Sequence, residues 1–390
     1  MLIVYVGPFS FPSSSANSLR VRGMAEALIL AGHQVHICPG ITETGATNDQ
    51  PLPDGIDVNR VDEYSFGTFS AAPKGLRGLF LGDNTVRWLE SLPYKPDAVI
   101  LYGTHLGYLS RLLGYCRQQN IRLLLDIVEW YDPRHLPGGF LGPVSICHEY
   151  SMRYLARKAD GIFVISRYLE EHFDLQGCRT LRVPPMFSGA SARPEQFRTS
   201  NHILNLCYVG SPGKKEDFDT LFCGLQLARD AGAKFCVHVV GLTEQEFIAS
   251  YPTVDLSILS RTGSVQFYGR LQNVFAKQVV ASCDFMILLR RDLRFSRAGF
   301  PSKVAESLCL GTPVMANLSS NLADYLTHGQ NSLVIDSLEP LALSKCILRA
   351  ASMNDNELAS MHRHASISAN TYFTPRSHSE AMSAFASRVF

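Results

Sequence analysis

The sequence predicts an α/β protein built from two doubly wound parallel sheets, and three observations lead to this prediction. Short β-branched runs alternate with helical patterns along the 390 residues, as expected for parallel strands joined by crossover helices. The alternation pauses once, at a polar stretch near residues 190–202, and then resumes with a new strand. The length suits two domains of ordinary size. We therefore expect domains at 1–190 and 203–365 and a C-terminal helix at 366–390.

In the first half, a strand at 1–6 precedes a helix at 16–30, whose apolar residues recur at intervals of three and four. Further buried strands are predicted at 34–38, 97–101, 121–125 and 161–165. In the second half, a helix is predicted at 218–231. The strands predicted around it lie at 204–209, 235–240, 265–268 and 284–289.

Composition limits the function. Hydrophobic residues make up 46% of the chain, charged residues 18%, and the net charge is +1, so no strong field recruits nucleic acid. The N-terminus lacks the basic region of a signal peptide, and no apolar run approaches the ~20 residues of a membrane span. The ten cysteines form no Cys-x-x-Cys pair and are interpreted as buried thiols in a reducing cytosol. A cytoplasmic protein is expected.

Ligands of open parallel sheets bind beyond the carboxyl ends of the strands, where three loops are unusual. The first, GPFSFPSSSAN at 7–17, delivers backbone N–H groups to a helix N-terminus, which attracts anions or sugar hydroxyls. It contains Ser15 and Asn17 and lacks the G-x-G-x-x-G spacing of dinucleotide sites. The alternative is an ordinary loop that caps the helix.

The second loop lies in CYVGSPGKKEDFDTLF at 207–222. A glycine turn, the ammonium groups of Lys214 and Lys215 and a helix dipole together suit a diphosphate. The alternative is a pair of solvated lysines balanced by Glu216 and Asp217.

The third is SRAGFPSKVAESLCLGTPV at 296–314. Pro301 favours a helix start, and Gly311 with Pro313 favours its end. Lys303 and Glu306 stand three residues apart on one face. A lysine in the first turn is unfavourable for the helix dipole unless an anion lies nearby. The alternative is a surface ion pair worth a few tenths of a kcal/mol.

These segments resemble the GT-B glycosyltransferases, especially the retaining family 4 group of bacterial polysaccharide biosynthesis. YVGSPGKKEDFDTLF, VQFYGRL and GFPSKVAESLCLGTPV carry the resemblance in the second half, and KADGIFVIS and the 7–17 loop carry it more loosely in the first. The resemblance implies two Rossmann-like doubly wound domains facing a cleft, with a final helix that crosses back to the first domain.

By resemblance, Glu306 holds the ribose hydroxyls, Lys214 or Lys215 neutralises the diphosphate, and Lys303 adds charge. The remaining donor-binding residues implied are Gly210, Ser211, Gly269, Arg270, Gly299, Phe300, Pro301 and Ser302.

Two positions depart from the family pattern. Ala298 stands where the family often has a second glutamate, and Ser211 stands where it often has arginine. The cation that would replace this arginine is Arg290, Arg291 or Arg297, and the spacing does not choose among them.

The acceptor side is expected in the first domain. His105, Asp126 and Glu129 follow predicted strands, which would let them face an acceptor beside Ser15 and Asn17. His105 is the catalytic candidate among them. For each of the three, the alternative is an ordinary solvated residue.

The resulting prediction is a hexosyltransferase-like enzyme that moves a sugar from a nucleotide-diphosphate sugar to a hydroxyl of a glycan, lipid-linked or small-molecule acceptor. Retention is implied by the resemblance, and neither a metal nor another cofactor is expected. Peripheral contact with the inner membrane is left open. The alternatives are a non-catalytic nucleotide-sugar-binding partner subunit and a GT-B sugar-nucleotide epimerase.

Overall fold

The structure, a computed structural model, describes residues 1–41, 52, 54–63, 81–188, 203–210 and 215–389. The chain forms two compact units. The first comprises Met1–Ser188, Arg297–Phe300 and Pro375–Phe390, and the second comprises Gly189–Ser296 and Pro301–Thr374. The polar stretch predicted as a linker at 190–202 lies outside the described residues.

Within the described residues, the first unit contains a parallel sheet of seven strands in the order β3-β2-β1-β4-β5-β6-β7. Val6 of the central strand pairs with Cys38 on one side and with Leu101 on the other. The strand order reverses between β1 and β4, which is the switch point where doubly wound sheets bind ligands. The strands are β1 (Leu2–Gly7), β2 (Gln34–Pro39), β3 (Ile56–Val58), β4 (Ala98–Tyr102), β5 (Arg122–Ile127), β6 (Gly161–Val164) and β7 (Thr180–Arg182).

The described helices of residues 1–188 connect these strands. Their bounds are α1 (Ala16–Leu30), α2 (Asp83–Ser91), α3 (Leu106–Gln119), α4 (Pro143–Tyr150) and α5 (Arg167–Asp174). Helix α1 begins at Ser15, whose hydroxyl accepts from the N–H of Ser18 at 3.3 Å. Its buried face, with Val21 and Met24, packs on β1 and β2 in one apolar core.

The second unit repeats the plan, with six described parallel strands in the order β10-β9-β8-β11-β12-β13. Here the order reverses between β8 and β11, so a second switch point lies beyond the carboxyl end of β8. The strands are β8 (Leu204–Val209), β9 (Phe235–Val240), β10 (Val265–Phe267), β11 (Phe285–Leu288), β12 (Val314–Ala316) and β13 (Ser332–Val334).

Eight described helices lie between residues 215 and 374, and Arg297 and Ala298 at the end of α10 belong to the first unit. An aromatic cluster ties the first two of them together, with ring centroids of Phe222 and Phe247 4.7 Å apart and those of Phe218 and Tyr251 4.8 Å apart. The helices are α6 (Phe218–Asp230), α7 (Glu244–Ser250), α8 (Ser257–Arg261), α9 (Asn273–Ser282), α10 (Arg294–Ala298), α11 (Ser302–Cys309), α12 (Pro340–Ser352) and α13 (Asp355–Tyr372).

Helix α14 (Pro375–Val389) belongs to the first unit. Met382, Phe385 and Val389 lie in the same apolar core as β1 and α1. The Phe385 ring approaches β6 so closely that a Cβ on Gly161 would lie 2.9 Å from its Cζ atom. Glycine at this strand position therefore makes room for α14.

The predicted α/β class with two parallel sheets is confirmed. Strands β3, β7, β12 and β13, each of three residues, were not predicted. The C-terminal region holds two helices, since α13 continues to Tyr372 and the first unit resumes at Pro375, not at 366. The ten cysteines are free thiols, but Cys223 is exposed and four others are partly exposed, namely Cys147, Cys178, Cys236 and Cys346. The prediction that all are buried is therefore confirmed for the other five only. Among the described helices, none has the length and apolarity to cross a bilayer.

Candidate functional site

A cluster of charged side chains lies at the carboxyl end of β8, beside the switch point of the second unit. Gly210 follows the strand with a φ of +124°, a conformation that L side chains rarely adopt. A Cβ at Gly210 would lie 2.4 Å from Cε and 2.8 Å from Nζ of Lys303. The positive φ therefore favours glycine here, and the Lys303 side chain passes directly over the strand end.

Lys303 is the centre of this cluster. Its Nζ donates to the Tyr208 hydroxyl at 2.9 Å and to Oε1 of Glu216 at 3.3 Å. Burial lowers the pKa of the ammonium group, and the carboxylate of Glu216 opposes this shift. The side chain as a whole nevertheless keeps 22% of its surface exposed.

Glu216 lies between two cations. Besides Lys303, its Oε1 lies 3.6 Å from Nη2 of Arg290, and both of these side chains are buried. Asn317 fixes the backbone of Arg290, since its Oδ1 accepts from the Arg290 N–H at 2.9 Å and its Nδ2 donates to the Arg290 carbonyl at 2.8 Å. One carboxylate thus faces two positive charges, and the cluster has a net charge of +1.

Lys215 adds a third cation, because its charge also lowers the pKa of Lys303. Its Nζ lies 5.4 Å from the centroid of the Phe295 ring. The other predicted lysine, Lys214, and the predicted Ser211 lie outside the described residues.

Of the three arginines considered as the replacement cation, the structure brings Arg290 to Lys303. Arg291 instead pairs with Asp217 and Asp219, each at 3.3 Å. Arg297 is exposed and belongs to the first unit.

Glu306 lies one turn further along α11. Its Oε1 is 3.9 Å from Nζ of Lys277, and burial raises the pKa of its carboxyl group. Lys303 and Glu306 thus have different nearest charged partners, so the alternative of a surface ion pair between them was wrong. The Glu306 side chain keeps 29% of its surface exposed.

The remaining predicted donor residues surround two loop ends. The carbonyl of Pro301 accepts from the N–H of Val304 at 2.9 Å, and Ser302 is the first residue of α11. Gly269 has a φ of +62°, and its carbonyl accepts from the Gly241 N–H at 2.8 Å, which holds this turn beside the end of β9.

Three further predicted donor residues differ in exposure. Arg270 is exposed. Gly299 and Phe300 are buried and belong to the first unit. Beside them, the Ser166 hydroxyl donates to the carbonyl of Ala298 at 2.7 Å.

In the first unit, the loop after β1 is held by its own hydroxyl groups. Ser13 Oγ lies 2.9 Å from Ser15 Oγ, and Ser15 caps α1. Asn17 is exposed, and its Oδ1 accepts from the Tyr102 hydroxyl at 2.9 Å. Of these predicted acceptor residues, Asn17 is the more accessible.

Asp126 was predicted to face an acceptor, and this prediction was wrong. Its side chain has no exposed surface. Its Oδ1 accepts from Nη2 of Arg20 at 2.8 Å, and its Oδ2 accepts from Nε of Arg20 and from the Tyr5 hydroxyl. The same guanidinium donates to the carbonyls of Val183 and Pro184. Asp126 therefore joins β5, α1 and the segment after β7 within the core.

His105 and Glu129 keep contact with solvent. His105 precedes α3 and is exposed, while the surrounding protein atoms lower the pKa of its imidazole. A lowered pKa favours the neutral imidazole, whose unprotonated nitrogen can accept a proton. Glu129 is half-buried and accepts a hydrogen bond from Tyr131.

Sequence reasoning missed Tyr208 and named Glu216 only in the alternative, as a counter-charge to solvated lysines. Glu216 is in fact buried, and Asp217 caps α6 by accepting from the N–H of Thr220. The sequence did contain a signal for Glu216. Two acidic residues, Glu216 and Asp217, precede the helix, but only one of them is needed to cap it, so the other was available for a different contact.

Two family models match the chain. The model described as "Glycosyl transferase 4-like domain" matches residues 18–185, and "Glycosyl transferases group 1" matches residues 204–353. Together they cover most of the sequence, one in each half. No curated protein gives a significant match.

Solved structures share the fold at low identity. A sucrose-phosphate synthase from Thermosynechococcus elongatus is 12% identical with a TM-score of 0.71, over 100% of this chain and 99% of that one. HepE from Anabaena, in complex with UDP and glucose, is 15% identical with a TM-score of 0.69 over 100% of both chains. The lipopolysaccharide outer core galactosyltransferase WaaB, in its apo form, is 14% identical with a TM-score of 0.66, over 99% of this chain and 100% of that one.

Two doubly wound units with these family matches define a sugar-transferring enzyme of the GT-B class. The chain belongs to the GT-B glycosyltransferases, with a glycosyl transferase 4-like domain followed by a group 1 domain. The predicted resemblance to this class, and the predicted enzyme activity, are confirmed at that level.

Proposed function

We propose that this glycosyltransferase takes its sugar from a nucleotide-diphosphate sugar bound in the second unit and transfers it, with retention and without a metal ion, to a hydroxyl of a glycan or lipid-linked acceptor. The observation that supports the proposal best is the ammonium group of Lys303 at the carboxyl end of β8, on a side chain that keeps 22% of its surface exposed. A buried cation lowers the free energy of the protein only when an anion or a set of acceptors compensates it. A diphosphate is such an anion.

In this proposal, the three cations of the cluster, Lys303, Arg290 and Lys215, act on the diphosphate. They exceed the single carboxylate of Glu216 by two charges, which suits the charge of a nucleoside diphosphate as it leaves. Preorganised cations at a leaving group stabilise charge that develops in the transition state. They would supply the stabilisation that a divalent ion provides in other transferases.

Glu306 would accept hydrogen bonds from the two ribose hydroxyls. Its carboxyl lies next to Lys277 and one turn from Lys303, so one end of α11 carries the charge for phosphate and the next turn carries the acceptor oxygens for ribose. An ionised carboxylate accepts two hydroxyl donors at once. The turn at Gly269 and Arg270 would lie against the nucleobase.

The reaction breaks the bond between the anomeric carbon and the β-phosphate oxygen, and forms a bond from the acceptor oxygen to the same carbon. The hydroxyl proton passes to the leaving phosphate or to a nearby base. The neutral imidazole of His105 is the candidate base in the first unit, with Ser15, Asn17 and Glu129 as candidate acceptor contacts. Asp126 is not included, because it is fully buried.

The expected location is the cytoplasm, which the ten free thiols favour. An acceptor linked to a lipid would bring the enzyme to the inner membrane as a peripheral protein.

A thermal-shift screen with UDP-, GDP-, ADP- and dTDP-sugars tests the donor class. UDP-sugars come first, because HepE from Anabaena was solved with UDP-glucose. A ligand that binds only the folded state stabilises it by about 2.7 kcal/mol at a hundredfold excess over Kd. Each measurement is repeated with EDTA.

We expect at least one nucleotide sugar to raise Tm equally with and without EDTA, and the effect to be lost in Glu306→Ala. A Tm shift that requires a divalent ion would refute the metal-independent mechanism. The absence of any shift with all four bases would refute the donor assignment.

A further inference from the structure

A ribbon of exposed apolar side chains runs along one face of the first unit. Five large apolar residues of this ribbon have exposed fractions from 48% at Tyr150 to 88% at Leu141. We call them the apolar ribbon; they are Phe140, Leu141, Ile146, Tyr150 and Tyr154. Contiguous apolar surface of this kind on a soluble protein marks an interaction site.

The ribbon follows from helical geometry. Ile146, Tyr150 and Tyr154 are four residues apart, along α4 and the π-helical segment Ser151–Leu155 that continues it, so they line up on one face. The ring centroids of Tyr150 and Tyr154 are 5.6 Å apart. Phe140 and Leu141 extend the ribbon from the 3-10 turn Gly139–Leu141 that precedes the helix.

The opposite side of the same segment is fixed to the protein. Met152 and Leu155 are buried in it. The indole N–H of the buried Trp130 donates to Oε1 of Glu149 at 3.0 Å, and the N–H of Tyr131 donates to Nε2 of His148 at 3.1 Å. The ribbon therefore projects from a packed base.

The charges around the ribbon are one-sided. Between residues 131 and 158 the sequence has two carboxylates. Asp132 is buried against Arg134 at 2.7 Å, and Glu149 is paired with Arg153 at 2.8 Å. The exposed charged side chains of this segment are all basic, namely Arg134, Arg153, Arg157 and Lys158.

Two of these cations extend the ribbon at its C-terminal end. The guanidinium of Arg157 lies 5.7 Å from the centroid of the Tyr154 ring, and Lys158 follows it. Arginine and lysine beside exposed tyrosines place charge at the level where an apolar surface meets water. An interfacial helix on a bilayer has the same arrangement, with apolar side chains inward and basic ones at the headgroups.

The geometry points to the apolar ribbon as a surface that inserts into the headgroup region of a bilayer containing anionic lipid. Anionic lipid is the occupant that the charges favour, because the exposed charged side chains of this segment are all basic. The inference rests on the first unit alone and does not depend on the donor proposed above.

Vesicle co-sedimentation of the full chain tests the inference, with phosphatidylcholine vesicles with and without phosphatidylglycerol. The ribbon variant is Phe140→Ser with Ile146→Ser. Its matched control is Leu341→Ser with Ile367→Ser in the second unit, where Ile367 is 59% exposed and Ile146 is 56% exposed. A third variant, Arg157→Gln with Lys158→Gln, removes charge only. Circular dichroism and Tm verify folding of each variant.

We expect wild type and control to bind anionic vesicles equally. The affinity of the ribbon variant should be lower by a factor of about ten or more. The charge variant should lose about fivefold in affinity per cation on anionic vesicles and nothing on neutral ones. Equal binding by ribbon and control variants, or no binding by wild type, would overturn the inference. So would a concentration-dependent dimer that the ribbon variant alone abolishes, since that result assigns the ribbon to a second copy.

Discussion

Replacing Lys303 by methionine separates the function of this lysine from its contribution to stability. Methionine keeps the length and most of the volume of the side chain but removes the charge. The variant loses the donors to Tyr208 at 2.9 Å and to Glu216 at 3.3 Å. Glu216 keeps Arg290 at 3.6 Å, so its buried carboxylate is not left without a counter-charge.

The expected change in unfolding free energy is small. Breaking a buried pair costs 3–5 kcal/mol when the remaining charge is uncompensated, whereas apolar replacement of a whole pair is often neutral or stabilising. Because Arg290 remains, we expect Lys303→Met to lie between these cases, within about 1 kcal/mol of wild type. Sugar transfer should slow by about 10²–10³-fold, equivalent to about 2.7–4 kcal/mol, as for other lost transition-state donors.

The pH dependence gives a second readout. Burial holds the pKa of Lys303 below its unfolded value, so the unfolded chain binds the extra proton in the window between the two values. The stability of wild type should therefore rise relative to Lys303→Met as pH increases through the folded-state pKa. Below that pKa the penalty of the buried charge is fully present.

Urea unfolding from pH 7 to pH 10 and a radiolabelled transfer assay measure both effects. Lys345→Met is the control, because Lys345 is an exposed lysine on α12. A loss of more than about 3 kcal/mol would identify Lys303 as a structural residue. Transfer within a few-fold of wild type would remove it from the chemistry.

Three other outcomes are expected. Glu306→Gln should weaken nucleotide binding by about 1.5–3 kcal/mol in calorimetry. An unchanged nucleotide affinity would exclude the ribose role. Because burial raises the pKa of Glu306 in the folded protein, Glu306→Gln should be more stable than wild type at pH 7. Below the pKa that Glu306 has in the unfolded chain, this gain in stability should disappear. The double variant Lys214→Ala/Lys215→Ala should slow sugar transfer more than it weakens nucleoside binding. A wild-type transfer rate would show that these lysines are only solvated surface residues. Asp126→Ala should lower unfolding free energy by about 3–5 kcal/mol in urea, and a near-neutral effect would contradict its role in the core.

Much of the fold was predictable because parallel strands covered on both faces read as continuous apolar runs. Strand β4, AVILY, is buried throughout, and its run stands out in the sequence. Strand β13 has three residues and begins at Ser332. Its strand conformation depends on pairing with the neighbouring strand β12 and not on its own composition.

The site was less predictable because its contacts join residues far apart in sequence. Helix α11 was predicted from Pro301 and Gly311, and it forms at Ser302–Cys309 with Val304 and Leu308 buried. The partner of Lys303 is 87 residues away, at Glu216, and no local pattern indicates it. The prediction for Asp126 was wrong for the same reason, because its partner Arg20 lies 106 residues away. From the sequence alone, an acidic residue at a strand end that faces solvent cannot be distinguished from one that faces the core.

The position of α14 also affects the order in which the protein can fold during synthesis. Translation produces residues 204–374, with the complete second sheet, before Met382, Phe385 and Val389 leave the ribosome. The second unit can therefore close its core first, while the first unit, although made earlier, keeps an open groove beside α1 and β6 until these three side chains arrive. A chaperone that binds exposed apolar segments should consequently be found on the N-terminal half of the nascent chain, and for longer than on the half that follows it.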